Sequence, residues 1–394
     1  MKQQEQKYKI GIVCYPTFGG SGVLATELGI ALSDKGYEVH FITYKQPVRL
    51  SMGFHPNTYF HEVKVPTYPL FEFPPYETAL ASAMVDVILK QNLDLLHVHY
   101  AIPHASAAYF ARQILKKSGR DIPFITTLHG TDITLVGRDT TYEPVVTFSI
   151  NESDAITAVS DSLKNETYEF FNIEKEIHVI PNFVDIRRFH QTDKHHFKQM
   201  LAPEGERILV HVSNFRPVKR VADVIKIFEI VRKEIPAKLL MIGDGPDRQN
   251  VEDLARSLNL YNDIRFLGKQ EQISEILSIA DLFLLPSQTE SFGLSALEAM
   301  ACSVPLIASN SGGLPEINIQ GETGFLSNVG DIEDMAKNAI YILQDITQLA
   351  EFKKHALAHA RKFEKQHIIP MYEKLYCEVI SAYRAEKENR LLTK

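Results

Sequence analysis

The feature that most constrains this chain is an alternation carried through the whole sequence: short runs rich in Val, Ile and Leu, separated by longer stretches with helical spacing. Parallel strands covered on both faces read as continuous apolar runs, and each needs a helical crossover to reach the next, so the pattern predicts an α/β fold. In the first half, strands are expected at residues 10–14, 38–43, 93–98, 124–127, 155–159 and 177–180. Helices are expected at 23–35, closed by Gly36, and at 105–117, closed by Gly119. Runs at 208–212, 239–242, 264–267, 282–285 and 306–308 repeat the arrangement, which predicts two sheets. The length of 394 residues agrees, since one hydrophobic core rarely organises more than about 250–300 residues. The polar segment 181–194, which opens on Pro181, is the expected linker. Domains are therefore expected at 1–185 and 186–363. Residues 364–394 form a last helical stretch, interrupted at Pro370 and crossing back towards the first domain. Segment 44–76, rich in Pro and aromatics, is expected to be either an irregular functional insertion or a packed surface hairpin.

Charge and composition exclude several classes. A net charge of -7 argues against a protein that works by neutralising nucleic-acid phosphates. Residues 1–9 lack signal-peptide character and no window approaches 18 uninterrupted apolar residues, so the expectation is a cytoplasmic protein with no membrane anchor. Cys14, Cys302 and Cys377 lie far apart with no C-x-x-C pair, and read as reduced structural thiols.

In open α/β sheets ligands bind beyond the carboxyl ends of strands, so the informative residues are those that follow the predicted strands. After strand 282–285, Glu290 and Glu298 bracket a helix start expected near Phe292. The amides of Ser291, Phe292, Gly293 and Leu294 would face a diphosphate, which the helix dipole favours. Glu290 can accept from sugar hydroxyls and Glu298 from ribose hydroxyls; the plainer alternative is an exposed cap and a solvated helix face. Gly19, Gly20 and Gly22 offer either a concave run of amides for an anion or a tight strand-to-helix turn. A G-x-G-x-x-G fingerprint is absent and strand 38–43 ends at Thr43 and Tyr44 without an acid for ribose, which disfavours a dehydrogenase. Arg216 and Lys219 can clamp two phosphates, or be solvated cations. No D-x-D triplet occurs, so neither a metal nor another cofactor is expected and the two cations would stand in its place. His129 follows strand 124–127, where its ring or its main-chain carbonyl could meet a sugar. His97 and His99 have a metal-like spacing but sit on a strand with no further ligands, and are read as one packed and one near the cleft. The turns at Gly243 and at Gly268 and Lys269 lie where a donor base would bind, or are simple turns.

The E-x7-E spacing of Glu290 and Glu298 resembles the signature of the retaining GT-B glycosyltransferases of family 4, and the resemblance extends over nearly the whole chain. Residues 19–22 are similar to that family's glycine-rich loop, 128–132 to its catalytic-histidine segment, and Arg216 and Lys219 to its cationic pair. The resemblance implies two Rossmann-like domains whose parallel sheets face a central cleft, and retention at the anomeric carbon. It implies catalytic contacts from His129 and Glu290, with Glu290 at the donor sugar, Glu298 at the ribose, and main-chain groups near Lys269 reading uracil. No carboxylate is obviously placed as a nucleophile, so front-face substitution is expected, the leaving phosphate oxygen taking the acceptor's proton. Residues 14–23, 44–50 and 71–76 are similar to the branch of the family that transfers N-acetylglucosamine from UDP-GlcNAc to L-malate in bacillithiol biosynthesis. A small dianion would then be held by Ser21, Lys45, Arg49, Tyr100, Thr131 and Arg138. The expected partners are these two small molecules, with a homo-oligomer left open. The alternatives are a lipid or polysaccharide acceptor, and a UDP-sugar isomerase or binding protein on the same fold.

Overall fold

The computed structural model describes residues 7–17, 19–66, 68–135, 137, 139–192 and 195–392. They form two compact units, one of Met1–Pro181 with Gln366–Lys394 and one of Asn182–Lys365. The divisions thus fall at Pro181 rather than residue 185, and at Lys365 rather than residue 363.

In the first unit seven strands, β1 (Lys9–Val13), β2 (Glu38–Thr43), β3 (Thr58–Glu62), β4 (Leu95–His99), β5 (Phe124–Leu128), β6 (Ala155–Ala158) and β7 (Ile177–Val179), lie in the order β3-β2-β1-β4-β5-β6-β7. Every neighbouring pair is parallel. Strands β4, β5 and β6 are buried throughout, as their apolar runs require. Leu80, Met84 and Ile88 of helix Tyr76–Gln91 and Ala108, Ala111 and Leu115 of helix Ser106–Lys117 pack with Val13, Ile42, Leu96 and Val98 into one core. Burying each large side chain of this kind contributes about 1.5–3 kcal/mol.

The second unit repeats the plan with six parallel strands, β8 (Arg207–Val212), β9 (Ala237–Ile242), β10 (Ile264–Gly268), β11 (Leu282–Leu285), β12 (Leu306–Ser309) and β13 (Gly324–Ser327). Their order is β10-β9-β8-β11-β12-β13, the same doubly wound sequence as the first sheet without its last strand. Val224, Ile227 and Phe228 of helix Val221–Glu234 and Met335, Ala339 and Ile342 of helix Ile332–Leu343 close over Leu209, Leu239 and Leu284.

Two edge strands escaped the sequence reading. β3 (Thr-Tyr-Phe-His-Glu) carries no Val, Ile or Leu and exposes Tyr59 and Phe60, so segment 44–76 is not wholly irregular but extends the sheet. β13 opens on Gly324, where a Cβ would overlap the carbonyl of Leu306 on the adjacent strand. A third expectation is corrected at Pro370: helix Lys365–Leu392 runs through it unbroken. The proline forfeits a single bond, to the carbonyl of Gln366 one turn inside the helix start, and sits on the exposed face. On the opposite face Ile368, Ile369, Tyr372, Tyr376 and Ile380 are buried. Among the described residues no helix is long and apolar enough to cross a membrane.

Candidate functional site

Each sheet reverses its strand order once, between β1 and β4 in the first unit and between β8 and β11 in the second. Loops leaving such a pair diverge, and open α/β sheets bind ligands in the crevice this creates at the carboxyl ends. In both units a side-chain contact joins the two diverging loops.

In the first unit β1 leads into helix Gly20–Asp34, whose N-cap Gly19 offers no side chain to the first amides and whose first turn holds no acid. Those amides and the positive helix end are available to an anion. Gly22 is sterically required, since a Cβ there would overlap the carbonyl oxygen of Tyr15. Across the reversal, Tyr100 follows β4 with φ at 86° and donates its hydroxyl to Ser21 Oγ at 2.7 Å. A tyrosine held in this left-handed region is strained and persists only where its surroundings over-determine it. His129 follows β5; its ring centroid lies 5.1 Å from that of Tyr100, and its Nε2 lies 2.8 Å from His99 Nδ1. Burial holds the His129 imidazole down to about 3, so it is neutral at physiological pH.

Asp132 braces this corner. Its Oδ2 accepts from the amide of Ala101 at 3.0 Å, and its Oδ1 from the amides of Gly130 at 3.0 Å and His129 at 3.3 Å. Burial outweighs these bonds and pushes the carboxyl up to about 6. With both oxygens turned onto amides, Asp132 fixes the His129 loop rather than presenting a nucleophile.

The other first-unit candidates are less convergent. Thr131 is exposed beside Asp132, and Lys45 is exposed with no ion pair among the described residues. Arg49 is turned onto helix Gly20–Asp34, where its Nη1 donates to Glu27 Oε1 at 2.7 Å. Arg138 lies outside the described residues. His97 and His99 are both fully buried, because a central parallel strand is covered on both sides, and of the two it is His99 that touches His129. Their rings stack at 4.4 Å between centroids, and His97 contacts Thr127 Oγ1 and the Tyr376 hydroxyl, each at 2.6 Å.

In the second unit β8 runs into a short turn, Pro217–Lys219, and β11 into residues 286–293 and helix Leu294–Ala301. Lys219 Nζ donates to Glu290 Oε1 at 2.6 Å, and Ser287 Oγ donates to the same oxygen at 2.9 Å. The Gln288 amide, bonded to the Val218 carbonyl at 2.8 Å, is a second tie between these loops. From the side of β12, the Gly313 amide donates to the Glu290 carbonyl at 2.8 Å, and a Cβ on Gly312 would overlap that same carbonyl. The helix starts at Leu294 rather than near Phe292, because Gly293 caps it at φ 92°. Its N-terminus is therefore open beyond Gly293, and Ser291 and Phe292 belong to the approach loop. Glu298, one turn in, is only 6% exposed, which excludes a solvated helix face.

The turns after β9 and β10 join this edge. The Gly243 amide donates to the Gly268 carbonyl at 2.8 Å, and side chains at Gly243 and Gly245 would overlap the carbonyls of Ser213 and Asn214. Arg216 and Lys269 are exposed, and neither forms an ion pair among the described residues. Three contributors were missed from sequence: Asp132, Ser287 and Gly312. Asp132 stands inside a segment already singled out, three residues after His129, and Ser287 lies three residues before Glu290. Among the described residues no group of three or more His, Cys, Asp or Glu is placed to hold a metal ion.

Comparison with known proteins bears on both units. Residues 18–188 match the family described as Glycosyltransferase Family 4, and residues 192–359 the family described as Glycosyl transferases group 1. The N-acetyl-alpha-D-glucosaminyl L-malate synthase of Bacillus anthracis is 46% identical over 380 residues, covering 95% of this chain and 98% of that protein. Sucrose-phosphate synthase from Thermosynechococcus elongatus superposes with a TM-score of 0.81 at 21% identity, over 95% of this chain and 100% of that one. HepE of Anabaena, solved with UDP and glucose, gives 0.77 at 20% identity over 95% and 99%. At such identities the structural likeness speaks for the fold, a GT-B pair of parallel-sheet units, and not for a substrate.

Proposed function

The chain belongs to glycosyltransferase family 4, and on that premise we propose that it transfers N-acetylglucosamine from UDP-GlcNAc to the hydroxyl of L-malate, releasing UDP. The observation that carries this reading is the 46% identity, over 95% of the chain, to the malate synthase of Bacillus anthracis.

The geometry supports a division of labour by unit. In the second unit, Lys219 and Arg216 supply counter-charge to the diphosphate, with the amides of Ser291, Phe292, Gly293 and Leu294 and the positive end of helix Leu294–Ala301 beside them. Glu290 accepts from the sugar hydroxyls, Glu298 from the ribose, and the turns at Gly243 and Lys269 flank the base. In the first unit, Gly19, Gly20 and Gly22 leave amides open to an anion. Ser21, Tyr100 and Thr131 supply hydroxyls and Lys45 and Arg49 charge for the malate carboxylates, Arg49 by exchanging its bond to Glu27.

The bond from the anomeric carbon to the phosphate oxygen breaks as the bond to the malate hydroxyl oxygen forms on the same face. The hydroxyl proton passes to the departing phosphate oxygen. Developing negative charge on that phosphate is met by Lys219 and Arg216, the kind of stabilisation that usually contributes most to such a step. No metal is assigned to it.

The test is purified protein incubated with UDP-GlcNAc and a panel of hydroxy acids. UDP release with L-malate, with product retaining the donor's anomeric configuration, is the expected result. Release with none of the acids, or only with a lipid or polysaccharide acceptor, overturns the reading.

A further inference from the structure

We propose that His99 is a positioning residue that locks His129 in its Nδ1–H tautomer, so that His129 offers a hydrogen-bond donor, and no proton acceptor, on its open edge. The proposal deepens the glycosyltransferase reading and rests on it for its catalytic consequence, but its structural content stands on the imidazole contacts alone.

The two rings share one hydrogen bond, His99 Nδ1 to His129 Nε2 at 2.8 Å. Either nitrogen could carry the proton, and the rest of the network decides which. His99 Nε2 is buried with no partner among the described residues. If His99 carried its proton there, the structure would bury an unpaired N–H, which is rarer in folded proteins than an unpaired acceptor. The proton therefore belongs on His99 Nδ1, donated to His129 Nε2, and the His129 proton is forced onto Nδ1.

A neighbouring ring shows the same preference. His104 Nδ1 lies against the His99 carbonyl, which can only accept, so His104 is the Nδ1–H tautomer and its bare Nε2 is the atom left buried and unpaired. This corner of the protein thus already tolerates an orphan imidazole acceptor, and no orphan imidazole N–H need be assumed. His129 Nδ1 makes no hydrogen bond among the described residues and is not one of the buried unpaired atoms, so it is the open position of the ring. Burial keeps His97, His99, His104 and His129 all neutral near pH 7, so a fixed tautomer has meaning for each of them.

The consequence for the reaction is specific. An imidazole with its proton on the open nitrogen can donate to a sugar hydroxyl or a carboxylate oxygen, but it cannot take the proton of the acceptor hydroxyl. His129 is then excluded as general base, and the proton must go elsewhere, as in transfer to the leaving phosphate.

The experiment uses full-length protein labelled with 15N-histidine, read by long-range 1H–15N correlation near pH 7.5, together with initial rates. Wild type is expected to show His129 protonated at Nδ1. In His99→Phe, which removes the donor, His129 should revert to a tautomer mixture and turnover should fall about 10- to 100-fold. His99→Asn, whose side-chain amide can place an N–H near the position of Nδ1, should restore the Nδ1–H signature and most of the turnover. A wild-type spectrum with His129 protonated at Nε2 overturns the proposal even if no variant folds. An His129 signature indifferent to both substitutions also overturns it. Absence of transfer by wild type, with the expected spectrum, would instead count against the proposed function and leave the tautomer assignment standing.

Discussion

Lys219 Nζ and Glu290 Oε1 lie 2.6 Å apart, so the two groups assigned to opposite ends of the donor, its phosphates and its sugar, neutralise one another in the second unit. The pair is mostly shielded from water, with Lys219 at 20% and Glu290 at 12% side-chain exposure. A charge-assisted bond in such a setting fixes both groups in advance. Donor binding then exchanges partners instead of ordering two free side chains.

That exchange predicts an asymmetric response to Glu290→Gln. The amide keeps the shape of the carboxylate and can still accept from Ser287, but it releases Lys219 to the phosphates. Turnover should fall about 100- to 1,000-fold, the usual effect of losing one electrostatic contact to the transition state. Affinity for UDP, measured by calorimetric titration, should hold or rise. A variant with normal turnover would remove Glu290 from the chemistry.

Gly312 is expected to be as sensitive as any charged residue in the second unit. At φ 57°, with the Glu290 carbonyl where a Cβ would sit, Gly312→Ala must push the Glu290 loop away. Gly321 also has positive φ, 74°, but nothing lies within 4 Å of its Cβ position. Gly321→Ala should lower stability by about 1 kcal/mol through strain alone and leave the kinetic constants unchanged. Gly312→Ala should raise the donor KM at least about tenfold if a displacement of about 1 Å has its usual effect. Equal behaviour of the two variants in donor titrations would contradict this.

Buried imidazoles give stability a definite pH dependence. His97 and His129 are held down to about 3, and His104 and His211 to about 4, all through burial. The unfolded chain takes up these protons near pH 6.5 while the folded chain refuses them, so their stabilisation is complete above about pH 6.5 and is lost as pH falls towards 3. Asp132, pushed up to about 6, acts in the opposite sense: its contribution is complete below pH 3.8 and is lost as pH rises through 6. Four histidines outweigh one aspartate, so the thermal midpoint should be flat above about pH 7 and fall steadily from pH 6.5 to 4. A midpoint that rises on acidification in scanning calorimetry would show these rings to be charged in the native state.

Assigning counter-charge to Lys219 and Arg216 predicts indifference to chelation. Initial rates in EDTA should match those in Mg²⁺ within about twofold, whereas Lys219→Ala should lower turnover about 100-fold or more. Loss of activity in EDTA with recovery on adding Mg²⁺ would require a metal in the reaction.

Much of the fold was legible because its signal is local. Apolar runs such as 93–98 and 282–285 are continuous, since both faces of a central parallel strand are covered, and they were found within a residue or two. β3 was not, because an edge strand is half solvated and can be written Thr-Tyr-Phe-His-Glu. Of the site, Glu290 and Glu298 could be read from their spacing, and the glycine loop from its position after a strand. What could not be read is who holds whom. Lys219 meets Glu290 across 71 residues of sequence, Tyr100 meets Ser21 across 79, and Arg49 spends its charge on Glu27; each pairing depends on which loops a strand reversal brings together. The partners of His97 and His99 were hidden for the same reason. Alternation along a strand gives the face a side chain takes but not whether that face is covered, and here His97 meets Tyr376 from beyond residue 365.

That last contact has a consequence for how the protein is made. Unit one is discontinuous, with Asn182–Lys365 inserted between its sheet and helix Lys365–Leu392. On the ribosome the whole second unit emerges before the helix that supplies Tyr372 and Tyr376, so the first sheet must wait with a polar histidine uncovered in its middle while its neighbour can already fold. A nascent chain stalled between residues 182 and 365 would expose an unfinished β-sheet, a surface that chaperones recognise, and release of that helix, rather than synthesis of the sheet, would be the step that completes the older half of the molecule.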